Sequence, residues 1–146
     1  MILDLRKLKR SGKDWEEFYF EYSPETELID IPNAKLALPV KVQGTFTISG
    51  EHSAIVEGEV VYTIKGECTR CLEQTEREYI TEFYEQVEEN NPDGYELKND
   101  TVDLSKLVED AVALSVPVSF LCKEDCKGIC VDCGTNLNHA ECKCKK

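Results

Sequence analysis

Histidine is scarce in this chain, with two residues, and basic side chains are outnumbered: 17 Lys and Arg face 29 Asp and Glu, for a formal net charge of −12. Such a surface repels phosphate, which argues against broad electrostatic binding to duplex nucleic acid. No apolar run is long enough to cross a bilayer. The longest, AVALSVPVSFL from Ala111 to Leu121, is interrupted by Pro117 and reaches about half of the roughly 20 residues a span needs. The amino-terminal stretch MILDLRKLKRSGKDW has basic residues but no apolar core of a secretory signal, so a cytoplasmic location is expected and no membrane partner. No P-loop, glycine-rich phosphate loop or Ser-His-Asp grouping is visible. Solenoid repeats and low-complexity tracts are missing as well. At 146 residues the chain has the size of one ordinary domain with a small appendix.

What is present begins with alternation. LALPVKVQGTFTI, from Leu36 to Ile48, puts Val40, Val42, Phe46 and Ile48 on one side, and SAIVEGEVVYTIKGEC repeats the pattern with Val56, Val60, Tyr62 and Ile64. Period-two alternation is the mark of a half-buried strand. With Gly50, Glu51 and His52 as a turn, the two segments predict a hairpin. A third run follows Cys71, with Tyr79, Phe83 and Val87 facing one way and glutamates the other, as an antiparallel sheet with one wet face requires. WEEFYFEY and ELIDI are candidates for shorter strands, and ENNPDG is a loop of turn formers. The period then changes. Asp103 is a candidate helix cap, Leu104, Leu107, Val108, Ala111 and Leu114 recur at helical spacing, and Pro117 ends the run.

The expected fold class is therefore α+β: an antiparallel β-sheet or partly open β-barrel with one packed helix and a small C-terminal knuckle like a zinc ribbon. Residues 1–121 would form the sheet domain, with a helix near 103–115, and residues 122–146 a cysteine-rich metal-binding tail docked on it. That tail has too few apolar residues to fold by burial alone.

Six of the eight cysteines lie in CKEDCKGICVDCGTNLNHAECKC, residues 122 to 144, and the other two in CTRC. In a reducing compartment, C-x-x-C pairs read as metal ligands rather than disulfides. Two intervening residues let the chain fold back so that both sulfurs meet one ion, and four such thiolates close a tetrahedral site. The candidate ligands are Cys68, Cys71, Cys122, Cys126, Cys130, Cys133, Cys142 and Cys144, enough for two structural four-cysteine zinc sites; iron also fits four thiolates. Two groupings are open. Cys130, Cys133, Cys142 and Cys144 can close their own knuckle, leaving Cys68 and Cys71 to join Cys122 and Cys126. Alternatively Cys122, Cys126, Cys130 and Cys133 form one site, and Cys68 and Cys71 meet Cys142 and Cys144. The shorter loop favours the first. His139 is a possible substitute for a thiolate, more simply read as exposed.

Catalytic readings meet objections. Cys126, Cys130 and Cys133 have the C-x-x-x-C-x-x-C spacing of radical enzymes that bind an iron-sulfur cluster, but that loop opens a long barrel and here only a short tail follows. A thioredoxin-like pair at Cys68 and Cys71 needs a βαβ setting, whereas its flanks alternate as antiparallel strands. Hydrolytic zinc keeps an open position and uses His or Glu among its ligands, unlike two closed cysteine sites. The glutamates sit at alternate positions of a solvated face. The chain is accordingly expected not to be an enzyme and to take no small-molecule substrate.

GECTRCLE after a strand, then a helix, then LSVPVSFLCKEDCKGICVDCGTNLNHAECKC resembles the YceD family, named for large ribosomal RNA subunit accumulation. The carrying pattern is L-C-x-x-x-C-K-G-x-C-x-x-C-G-x-N-L-N followed by C-x-C; Val131 stands where many relatives have proline. The resemblance implies a cytoplasmic factor for synthesis, processing or stability of the large-subunit ribosomal RNA. It also implies that Cys68, Cys71, Cys122 and Cys126 belong together, because some relatives lack the second cysteine group and keep the first. An acidic protein in this role would hold a basic ribosomal protein against its glutamates, or touch a large-subunit ribosomal RNA precursor through its basic ends. Those ends are Arg6, Lys7, Lys9, Arg10 and Lys13, and Lys143, Lys145 and Lys146; solvated termini are the plainer reading of both. A zinc- or redox-responsive regulatory protein is the alternative.

Overall fold

The computed structural model describes residues 1–91, 94–142 and 144. The basic island at Lys143, Lys145 and Lys146, and Pro92 and Asp93 of the ENNPDG loop, lie outside the described residues.

Four long antiparallel strands make the main sheet: β2 (Trp15–Tyr22), β3 (Ala34–Gly50), β4 (Ser53–Glu67) and β5 (Gln74–Glu88), side by side in chain order. Among the described residues the sheet is open rather than a closed barrel. The predicted hairpin is β3–β4, turning at Glu51 and His52, with Ile48 opposite Ala54. Val42, Phe46, Val56, Val60, Tyr62, Ile64 and Val87 are buried on one face as alternation demands, while Ile48 and Tyr79 are half-buried. A register irregularity between Ala37 and Lys41 accommodates Pro39, which has no N–H to give the ladder.

A short strand β1 (Ile2–Asp4) pairs with β6 (Thr101–Asp103), and each feeds a helix: α1 (Leu5–Arg10) and α2 (Ser105–Ser115). The first helix has no counterpart in the sequence expectation. Asp4 nucleates it, its Oδ1 accepting from the Arg6 and Lys7 N–H groups at 2.9 and 3.4 Å. Leu5 and Leu8 are buried beneath it, so Arg6, Lys7, Lys9 and Arg10 are the exposed side of an anchored helix and not a free arm.

In α2 the expected cap residue works from one position further out. Asp103 Oδ1 accepts from both the N–H (2.9 Å) and the hydroxyl (2.7 Å) of Ser105. Leu104, Leu107, Val108 and Val112 are buried against β4 and β5, and Ala111 is half-buried. Leu114, expected on that stripe, is 88% exposed because Val112 takes the inward position one turn after Val108. Glu27–Ile31 is not a strand either. Ile29 and Ile31 are buried from an irregular segment, since β3 beyond Val40 has no partner from β2 and the chain there covers the core without pairing.

The end of α2 is what positions the cysteines. Ser115 Oγ and Tyr62 Oη are 2.9 Å apart, tying the last helical turn to β4. Val116 is extended ahead of Pro117, as a residue before proline must be. From there the chain runs to Phe120, which is fully buried, and delivers Cys122 to the β4–β5 turn.

Candidate metal centres

The first cysteine pair is held by the turn between β4 and β5. Cys68 closes that turn, its N–H donating to the Glu73 carbonyl and its carbonyl accepting from the Leu72 N–H, both at 2.9 Å. Leu72 adopts a φ of 63°, the left-handed conformation the reversal needs. The segment after α2 docks here through four bonds. Thr69 donates to the Phe120 carbonyl with its N–H (2.9 Å) and hydroxyl (3.2 Å), Arg77 to the Leu121 carbonyl (3.2 Å), and Arg70 to the Cys126 carbonyl (3.0 Å).

The result brings Cys68, Cys71, Cys122 and Cys126 together, with all four sulfurs within 4.8 Å of one another. Cys68 lies 3.7 Å from Cys126 and Cys71 lies 3.6 Å from Cys122. Cys130, Cys133, Cys142 and Cys144 make a second cluster within the same limit, with Cys133–Cys142 at 3.7 Å, Cys130–Cys144 at 3.9 Å and Cys130–Cys142 at 3.2 Å. This is the grouping favoured by loop length; the alternative places sulfurs together that the structure keeps apart.

The donor set fits a metal. An ion with four sulfurs at about 2.3 Å needs them about 3.8 Å apart at the corners of a tetrahedron. Most of the separations are close to this, and none is near the roughly 2.05 Å of a disulfide; all eight thiols are free.

Protonation points the same way. Burial opposes ionisation of Cys68, but N–H donors from residues 70, 71 and 122 outweigh it and bring the thiol to about 6. Burial then pushes Cys71 up, and burial together with the neighbouring thiols takes Cys122 to about 12. In the second cluster the Thr135 hydroxyl and N–H lower Cys133 to about 6, while hydrogen bonds with Cys133 and Cys142 take Cys144 to about 12. Cys130 is lowered as well, chiefly by the Cys133 N–H, while Cys142 is raised by its hydrogen bond with Cys130, so in neither cluster do all four thiols ionise unaided. Like charges this close ionise together only around a cation.

The second cluster rests on a loop whose shape is set by asparagines. Gly134, at a φ of 73°, donates to the Cys130 carbonyl at 2.8 Å and lets the chain reverse behind Cys133. Asn136 Oδ1 accepts from the Asn138 N–H at 2.9 Å. Asn138 then reaches the first cluster: Nδ2 donates to the Cys126 sulfur at 3.3 Å, and Oδ1 accepts from the Lys127 N–H at 2.9 Å. His139 is not a ligand here. It pairs with Glu73 at 2.8 Å, two residues past Cys71, and straps the knuckle to the β4–β5 turn. Sequence reasoning missed Asn138. Its signal was the asparagine pair between paired cysteines, a place where short amide side chains bond the backbone locally.

The profile of the family described as large ribosomal RNA subunit accumulation protein YceD matches residues 56–146, from β4 through both cysteine clusters. The chain belongs to the YceD family. Uncharacterized proteins of Mycobacterium tuberculosis and Mycobacterium bovis are each 30% identical to it over 151 residues, spanning 94% of this chain and 70% of their own. The chloroplastic large ribosomal RNA subunit accumulation protein YCED homolog 1 of Arabidopsis thaliana is 42% identical over 43 residues, 30% of this chain and 13% of its own. No solved structure matches the chain. Within this YceD chain no helix of the described residues is long and apolar enough to cross a membrane.

Two outcomes are expected. Cys71 and Cys122 in one cluster, and Cys142 and Cys144 in the other, are held protonated at neutral pH by shifts upward, so a bound ion must displace their protons. Titrating cobalt(II) into metal-free protein, followed by its thiolate charge-transfer absorbance, should release protons and weaken progressively as pH is lowered through about 6, where Cys68 and Cys133 also protonate. Asn138→Ala removes an N–H donor to the Cys126 sulfur and should lower affinity at the first cluster by about tenfold, read by competition with a calibrated chelator.

Proposed function

We propose that this chain is a non-enzymatic, cytoplasmic ribosome-biogenesis factor supporting synthesis, processing or stability of the large-subunit ribosomal RNA, with two structural zinc ions shaping its C-terminal tail. The carrying observation is the family match, which runs through every cysteine of both clusters. The family's printed description, and that of the plant relatives, names large ribosomal RNA subunit accumulation.

The cysteine chemistry supports a structural use of the metal. A four-thiolate ion has no free position for water or substrate, and here the ligands join the β4–β5 turn to the segment after α2. Zinc is proposed because it has no redox chemistry and accepts a tetrahedral thiolate cage without geometric preference.

The net charge of −12 favours action through a basic ribosomal protein, or a pre-ribosomal particle that displays one, over contact with naked RNA. The exposed side of α1, with Arg6, Lys7, Lys9 and Arg10, is the described basic surface available to RNA. A second reading, a zinc- or redox-responsive regulator, draws on Cys133, which is exposed and whose thiol is lowered to about 6. Rapid modification of the metal-loaded protein by a thiol reagent would favour it.

Sedimentation of cell extract through a density gradient tests the main proposal. The protein should co-migrate with precursors of the large subunit, and its depletion should lower large-subunit ribosomal RNA relative to the small. Recovery only at the top of the gradient, even after crosslinking, contradicts the proposal.

A further inference from the structure

The face of the main sheet turned away from the helices is organised in cross-strand rows. One row runs Glu17, Thr45, Glu57, Tyr84 from β2 to β5, and the next runs Tyr19, Gln43, Glu59, Glu82. Glu59 and Glu82 are therefore directly opposite one another on adjacent strands. Like charges in that relation are destabilising. Gln43 donates to Glu59 at 2.6 Å, but among the described residues no lysine, arginine or histidine pairs with Glu17, Glu57, Glu59 or Glu82.

The rows flank a hollow. Gly44 and Gly58 are paired across β3 and β4, and an added Cβ on either would lie 2.1 Å from a carbonyl oxygen of the other strand, so only glycine allows the two backbones to approach this closely. They lie in the floor of a concavity of about 900 Å³ whose walls include Glu17, Tyr19, Glu57, Glu59, Glu82 and Tyr84. Both tyrosines are more than half exposed, at 54% and 62%, and Trp15, in the adjoining row, is 53% exposed. Four uncompensated carboxylates between open aromatic faces make a receptor for cations on flexible stems, because carboxylates take the charge and ring faces take the guanidinium plane or the methylene stem.

Resting on the ribosome-biogenesis reading above, we infer that this hollow is the docking site for an extended, lysine- and arginine-rich segment of a protein partner. The like-charged pair Glu59–Glu82 is kept at a cost to the free protein, and the cost is relieved when a cationic side chain enters between the two carboxylates. RNA is the wrong occupant, since its phosphates would meet the same carboxylates. The partner's specificity comes from spacing: successive side chains of an extended segment alternate, and those directed at the sheet meet rows that each carry two carboxylates and one tyrosine.

The chain has one tryptophan, Trp15, two residues before Glu17 in the row beside the hollow, and it serves as the reporter. The full chain, metal-loaded, is titrated with a peptide of alternating arginine and alanine while Trp15 fluorescence is followed at increasing salt. Saturable binding that weakens with salt is expected. Glu57→Gln combined with Glu82→Gln should weaken it by roughly tenfold, whereas Glu25→Gln with Glu27→Gln, which removes the same charge from the β2–β3 loop, should change it by less than about twofold. Glu82→Gln alone should raise Tm, because it removes the repulsion with Glu59. Equal weakening by the two double variants would show attraction to net charge only and overturn the site. A Tm for Glu82→Gln at or below that of the unsubstituted chain overturns the claim of a face held in repulsion, and a single-stranded RNA that competes with the peptide overturns the choice of a basic protein segment as the occupant. If the peptide fails to bind while the protein still co-sediments with large-subunit precursors, the docking site is wrong and the ribosome reading stands; binding without co-sedimentation separates them the other way.

Discussion

Four thiol sulfurs within 4.8 Å of one another cannot all carry charge unless a cation sits among them, and this chain builds that arrangement twice. The first cluster is the constraint on which the architecture of the carboxyl-terminal part depends. It joins a turn between two strands to a segment that arrives from the far end of a helix, where the apolar packing among the described residues comes from Phe120 in the main core and the half-buried Leu121 and Ile129. The small cluster of Cys68, Cys71 and Cys126 with half-buried Leu121, Cys122 and Ile129 is mostly the ligands themselves. The sheet is different. Its buried face, with Val40, Val42, Phe46, Val56, Val60, Tyr62 and Ile64 all at most 1% exposed, is closed by Leu104 ahead of α2, by Leu107, Val108 and Val112 of α2 and by Phe120. Burial on that scale is the ordinary source of domain stability.

The two clusters are mechanically joined. Asn138, in the loop that closes the second, donates to a sulfur of the first, and His139 in the same loop pairs with Glu73, two residues past Cys71. Ordering of one knuckle therefore supports ligand orientation in the other, as partners behind a metal's own ligands commonly do. This gives a physical reason for a tail of so few apolar residues to hold a defined shape beside a sheet.

Strict alternation over Leu36–Ile48 and Ser53–Cys68 made the central hairpin and its buried face legible in the sequence, because a strand with one wet face writes its geometry into every second residue. Cysteine spacing likewise exposed both clusters, since a chelating turn leaves little freedom in which residues meet one ion. What escaped had weaker local signals. Helix α1 is six residues long, held by the Asp4 cap, two buried leucines and the β1–β6 pairing, and that pairing joins segments about a hundred residues apart. ELIDI carries strand-like residues but has no strand beside it, so Ile29 and Ile31 are buried without a ladder. Leu114 fits the helical stripe by spacing and is exposed because the helix turns Val112 inward. In each case the deciding fact is a neighbour that composition does not reveal.

The central claim is that coordination by cysteine, and not burial, gives residues 122–142 and Cys144 their shape. Hydrogen exchange measured residue by residue before and after a chelator strips the metal tests it directly. The account predicts that the Thr69, Cys126, Cys130 and Leu137 amides, each bonded across the docked tail or its loops, lose protection on chelation, while amides in the β3–β4 ladder keep theirs. Tail amides that remain protected in the metal-free protein, or a sheet that opens together with the tail, would contradict it.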